Sequence, residues 1–256
     1  MKYLIIDLET TCNKEHDRVG NFYYGKILAI SLRNEAEQRT QYVNGGLKDL
    51  EIDEDILVGH NIKYDLLYLW GFKGVQDFLT KGGKIYDTAL AEYLISGQTN
   101  KYPKLRDIAV QKYGCPDRIK HIDRLLFNKK ETILGLTQEF EHETDPTKKW
   151  AIREDLKHIM SYNKMEDLPR ASVLKDVEED VKDTEQVYLR QLEYIKKHKM
   201  EPLIYITMNS LLATTEMEYN GFRIDQDVMN RNMFLRQADL KDVEDKLQEL
   251  IKRYWK

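Results

Sequence analysis

The first hundred residues alternate two kinds of apolar pattern, and that alternation restricts the fold more than any other feature of the chain. "KYLIID" (2–7) and "KILAISLR" (26–33) are short continuous apolar runs of buried-strand type. "QRTQYVN" (38–44) is a more polar strand that Gly45 and Gly46 end, and "DILVGHN" (55–61) is another buried run leading into a turn. Between and after these runs the period changes. "IKYDLLYLWGF" (62–72) places Ile62, Leu66, Leu69 and Trp70 at helical spacing, with Gly71 as the stop. "KIYDTALAEYLI" (84–95) repeats strand then helix, and "KLRDIAVQKYG" (104–114) is an amphipathic helix closed by glycine. Residues 115–150 read as short helices and loops, and from about Ile152 onward the chain reads as helical. Strands alternating with helices, then a helical tail, predict an α/β domain, a mixed sheet flanked by helices, with a helical C-terminal segment. The charged run that meets Pro202 puts the boundary near residue 200, dividing the chain into 1–200 and 201–256.

At 256 residues there is ample chain for one large domain or two smaller ones. The formal net charge is only -4, so no global field draws the chain to a polyanion, and any such ligand needs a local patch or bound metal. Cys12 and Cys115 form neither a metal-spaced cluster nor a disulfide framework, which suits a reducing cytosol. No signal peptide opens the sequence and no run reaches membrane-span length, so the expectation is a cytoplasmic protein of a prokaryotic cell or viral host, without a membrane partner.

The chemistry begins where the first strand ends. In "YLIIDLETT" (3–11) Asp7 and Glu9 are two apart, so in a strand they share a face. Adjacent like charges raise each other's pKa unless a cation lies between them, and a hard divalent ion is the usual resolution. In "GHNIKYDLLYL" (59–69) Asn61 and Asp65 fall on one face of a helix that starts at a sheet edge, where α/β proteins place ligands. In "DLKHIMSYNKMEDLPRASVL" (155–174) Tyr162 precedes Glu166 and Asp167. Four carboxylates brought to one point would bind two hard cations about 4 Å apart, the arrangement that hydrolyses phosphodiesters.

These motifs, in this order, resemble the DEDD family of 3′–5′ exonucleases of ribonuclease-H-like fold over residues 1–175, and within it the proofreading domain of family-A DNA polymerases. The resemblance implies Asp7, Glu9 and Asp65 as catalytic metal ligands, with Asn61, Thr10 and Leu8 beside the substrate. Glu9 would bridge metal and the 3′-hydroxyl end. In the tyrosine subtype three residues separate tyrosine from aspartate. Tyr162 plus four is Glu166 here, so either Glu166 or Asp167 is the fourth ligand; the reading taken is Asp167, with Tyr162 orienting the attacking water. His60 reads as lining or capping the site, and His158 lies too far before Asp167 for the tyrosine's role. Two Mg2+ ions, with Mn2+ as substitute, are the implied cofactors.

The tail "EPLIYITMNSLLATTEMEYNGFRIDQDVMNRN" (201–232) resembles the passage from exonuclease to polymerase thumb in the same family, with Asp225 capping a long helix. No palm sequence is present. The expected function is therefore removal of nucleotides from single-stranded or frayed DNA 3′ ends, as one part of a family-A-like polymerase whose palm and fingers lie on a separate or missing portion. The alternatives are an RNA-trimming exonuclease and an inactive nucleic-acid-docking domain.

Overall fold

The computed structural model describes residues 2–11, 22–99, 104–118 and 120–254; Cys12 lies outside them. Five strands form one mixed sheet in the order β3-β2-β1-β4-β5. They are β1 (Tyr3–Thr10), β2 (Ile27–Arg33), β3 (Gln38–Tyr42), β4 (Ile56–Gly59) and β5 (Lys84–Asp87). The β1–β2 and β2–β3 pairs are antiparallel; β1–β4 and β4–β5 are parallel. This follows from the connections. A short turn joins β2 to β3, whereas α1 (Ile62–Leu69) and α2 (Lys73–Thr80) provide the long crossover that a parallel β4–β5 pair needs. The central strand, β1, buries Leu4, Ile5, Ile6 and Leu8.

Further helices follow: α3 (Thr88–Ile95), α4 (Lys129–His142), α5 (Pro146–Ser161), α6 (Arg170–His198), α7 (Glu201–Asn220) and α8 (Gln226–Tyr254). The expected 104–114 helix is present with a π-helical turn, Asp107–Lys112, and ends at Gly114 with φ 69°. Residues 115–150 are more regular than their sequence implies, since α4 and the start of α5 lie there. These two helices bury only a small cluster of Leu136, Ile152 and Ile159, so little apolar periodicity marks them.

The chain divides into two compact units, 1–219 and 220–256. The division falls after residue 200 because Ile204 and Met208 of α7 belong to the main core, with Val181, Tyr188 and Ile195 of α6. Within the second unit, the Asp225 carboxylate accepts from the amides of Asp227 and Val228 at 3.0 Å each, capping α8 as its sequence predicts. No residue of α8 is buried, and Val243, Leu247, Leu250, Ile251 and Tyr254 all stand exposed. Among the described residues no helix is long and apolar enough to cross a membrane.

Candidate metal centre

Strand alternation and helix rise together build the site. On β1 the odd residues share a face, and Tyr3 shows what that face meets. Its ring packs edge-on against Tyr188 of α6 at 5.4 Å, and its hydroxyl donates to Glu185 over 3.0 Å. From Tyr3 to Asp7 a strand advances about 13 Å. From Tyr188 back to Asp180 a helix advances about 12 Å. The strand and helix run in opposite directions at matched travel, so Asp180 arrives opposite Asp7. Asp7, Glu9 and Asp180 each offer a carboxylate oxygen, all within 4.8 Å of one another. A β-bulge between Glu9 and Thr10 ends the regular pairing just past the second acid.

Asp65 of α1 stands behind them, 4% exposed. Its Oδ1 accepts from the Leu8 amide over 3.0 Å, which ties the end of β1 to the helix. Burial is the chief cause of unusual acidity in all four carboxyls. It drives Asp7 well above the usual carboxylate range, with Asp180, Asp65 and Glu9 adding repulsion. Glu9 is pushed up to about 8, by burial and then by Asp180, against the pull of Lys120. Burial raises Asp65 as well, opposed by backbone hydrogen bonds, and raises Asp180, opposed by Lys120. Such a set of oxygen donors, costly to ionise alone, fits a divalent metal site.

The other residues singled out from sequence fall in several places. Thr10 is buried with its hydroxyl bonded to that of Tyr64, and Leu8 is a core side chain, so neither presents its side chain to solvent. Asn61 is exposed at the start of α1 with φ 58°, and its amide donates to Asp87 Oδ1 over 3.1 Å. His60 Nδ1 lies 2.9 Å from the Thr88 hydroxyl, and His158 is exposed on α5.

Glu166 and Asp167 are not among the carboxylates that converge with Asp7 and Glu9. Tyr162 ends α5 and packs among Leu125, Leu136 and Ile159 of the α4–α5 cluster. Asp167 closes a short turn, Met165–Asp167, its Oδ2 accepting from the amides of Asn163 at 3.0 Å and Lys164 at 3.2 Å. The expected helix is interrupted there because Pro169 forces a restart at Arg170, and the turn places Met165 and Leu168 in one buried cluster with Leu28 and Ala29 of β2. The acid supplied by the late helix is Asp180, which sequence reading missed. Its signal was present: Val173, Val177 and Val181 make a buried stripe on α6, and Asp176 and Asp180 each immediately precede one of these valines, at the margin of the packed face. Asp176 and Asp180 also have the three-residue gap of the tyrosine-type motif, with aspartate where that motif has tyrosine.

No protein-family model and no curated protein matches the chain. Among solved structures it is similar to Brucella melitensis NrnC bound to pGG, with a TM-score of 0.54 and 13% identity over 86% of this chain and 85% of that one. It is similar also to the same protein with bound Mg2+, at 0.53 and 12% over 86% of each chain. The apo form of a nuclease matches at 0.51 and 12%, over 87% of this chain and 88% of that one. At such identities the likeness is one of fold, and the fold is ribonuclease-H-like: a mixed five-stranded sheet flanked by helices, followed by a helical C-terminal region.

Proposed function

We propose that this protein is a divalent-metal-dependent 3′–5′ exonuclease acting on short RNA. The observation that carries the reading is the convergence of Asp7, Glu9 and Asp180 at one end of the central strand, with Asp65 behind them. Three oxygen donors of this kind suit Mg2+ or Mn2+. When bound, such an ion supplies a hydroxide from its coordinated water and neutralises charge on the phosphoryl group. The chain supplies placement. Glu9 stands next to the bulge at the end of β1, where it can meet a 3′ end. Asp65 keeps the backbone at Leu8 in register, so that the two β1 acids point together. The exposed Asn61 offers an amide to the terminal nucleotide.

RNA is favoured over a polymerase-bound DNA end because the structural neighbour was captured with pGG, and that supports a short nucleic-acid substrate. The test uses 5′-labelled and 3′-labelled RNA and DNA oligonucleotides of two to twenty residues, with Mg2+ or with EDTA. Stepwise loss from the 3′ end of RNA, faster than from DNA and abolished by EDTA, is the expected result. Faster trimming of DNA would move the reading to proofreading, and no cleavage of either polymer would leave a docking domain.

A further inference from the structure

Lys120 contributes to this site in a way that neither the motifs nor the fold accounts for. Three aspartates on one face of α6 each hold part of the segment ahead of the second π-helical turn, Asp123–Phe127. Asp176 accepts from the backbone amides of His121 at 3.0 Å and Ile122 at 2.7 Å. Asp180 is ion-paired to the Lys120 ammonium through both of its carboxylate oxygens, and Asp183 to the Arg118 guanidinium. The spacing is regular. Aspartates four and three residues apart on a helix climb about 6 and 4.5 Å, and each receives the next group along the segment. Lys120 is therefore held from both sides, by the Arg118 pair and by the backbone at His121 and Ile122. Its side chain is only 24% exposed. The same carboxylate that faces Asp7 and Glu9 is the one that its ammonium grips.

We infer that Lys120 is a permanent cation of the catalytic centre, standing in for one of two metal ions, so that the site takes a single divalent ion beside it. Charge favours that count. Ionised around a metal, the converging Asp7, Glu9 and Asp180 carry three negative charges, which one dication and one ammonium balance. The donor geometry agrees, since three carboxylates meet at one point whereas Asp65 is turned to the Leu8 amide. A lysine is a compact point charge with three donors, suited to steadying phosphoryl oxygens without needing a coordination shell.

This inference rests on the nuclease reading of the same site, and the experiment separates the two. Calorimetric titration of the full chain with Mn2+, alone and with a phosphorothioate-linked dinucleotide, gives the number of ions. Electron paramagnetic resonance reports whether two ions are spin-coupled. The wild type is expected to bind one uncoupled Mn2+ per chain. Lys120→Met keeps the aliphatic stem and removes the charge; it should bind Mn2+ at least about tenfold more tightly, because one positive charge within a few ångströms is gone, and should admit a second, coupled ion. Lys120→Arg should stay at one. A coupled pair in the wild type overturns the inference whatever the variants do, so a poorly folded variant does not blunt the test. Unchanged stoichiometry and affinity in a folded Lys120→Met overturns it as well. A wild type that binds one Mn2+ yet cleaves no oligonucleotide ends the nuclease reading and leaves the place of Lys120 in the metal site standing.

Discussion

The Leu8 amide donates to Asp65 Oδ1 over 3.0 Å, so the strand that carries two acids of the cluster is anchored by the buried acid behind it. Asp65→Asn and Asp65→Ala both remove the buried carboxyl, but only asparagine keeps an oxygen for that amide. The alanine variant should therefore be less stable than the asparagine variant by about 1–3 kcal/mol, the cost of a buried donor left unpaired. Chemical denaturation of the metal-free variants measures the difference. Equal stabilities would show that the anchor is dispensable.

Asp180→Asn should lower metal-dependent cleavage by at least about 100-fold, the scale on which losing one charge-stabilising group acts. Asp167→Ala removes two turn-capping bonds of a residue outside the converging trio and should cost on the order of 1 kcal/mol in stability with cleavage kept. Initial rates on a labelled oligonucleotide rank the two. If Asp167→Ala is the more damaging, the late-helix ligand is Asp167, the residue taken from the sequence.

Asp87 predicts a distinct dependence on pH. It caps α3 by accepting from Ala89 at 2.9 Å and Leu90 at 3.1 Å, while its Oδ2 is buried without a partner. Burial pushes its pKa up to about 6 against those bonds. The native state thus holds this proton more tightly than the unfolded chain. The stabilisation is complete below about pH 4 and is lost as pH rises through 6. Asp87→Asn keeps the capping oxygen without the charge, so its stability relative to wild type should climb between pH 4 and 6 and then level off. Thermal melts of both across that range decide; parallel curves would mean that the carboxyl titrates normally.

Truncation tests where the first unit ends. A 1–200 fragment loses Ile204 and Met208, 6% and 3% exposed. Losing two such side chains should cost about 3–6 kcal/mol relative to a 1–219 fragment. Urea midpoints give the comparison. A 1–200 fragment as stable as 1–219 would show that α7 is an appendage.

Much of this was legible in local pattern. The five strands, α1, α3 and the cap at Asp225 follow from period and turn chemistry, which act over a few residues. Asp7 and Glu9 were readable because strand alternation alone puts them on one face. Asp65 was readable as the partner of Asn61 one helical turn away. Asp180 and Lys120 were not. Both sit in charged stretches, "EEDVKD" and "DRIKH", that resemble solvated surface when read alone. Their roles arise only when α6 crosses the sheet antiparallel to β1, where strand and helix rise happen to match from Tyr3–Tyr188 to Asp7–Asp180. Local sequence determined which acids leave the first strand together; packing over more than a hundred residues decided which acid and which cation meet them, because a side chain's charge shows in the sequence and its neighbour across the fold does not.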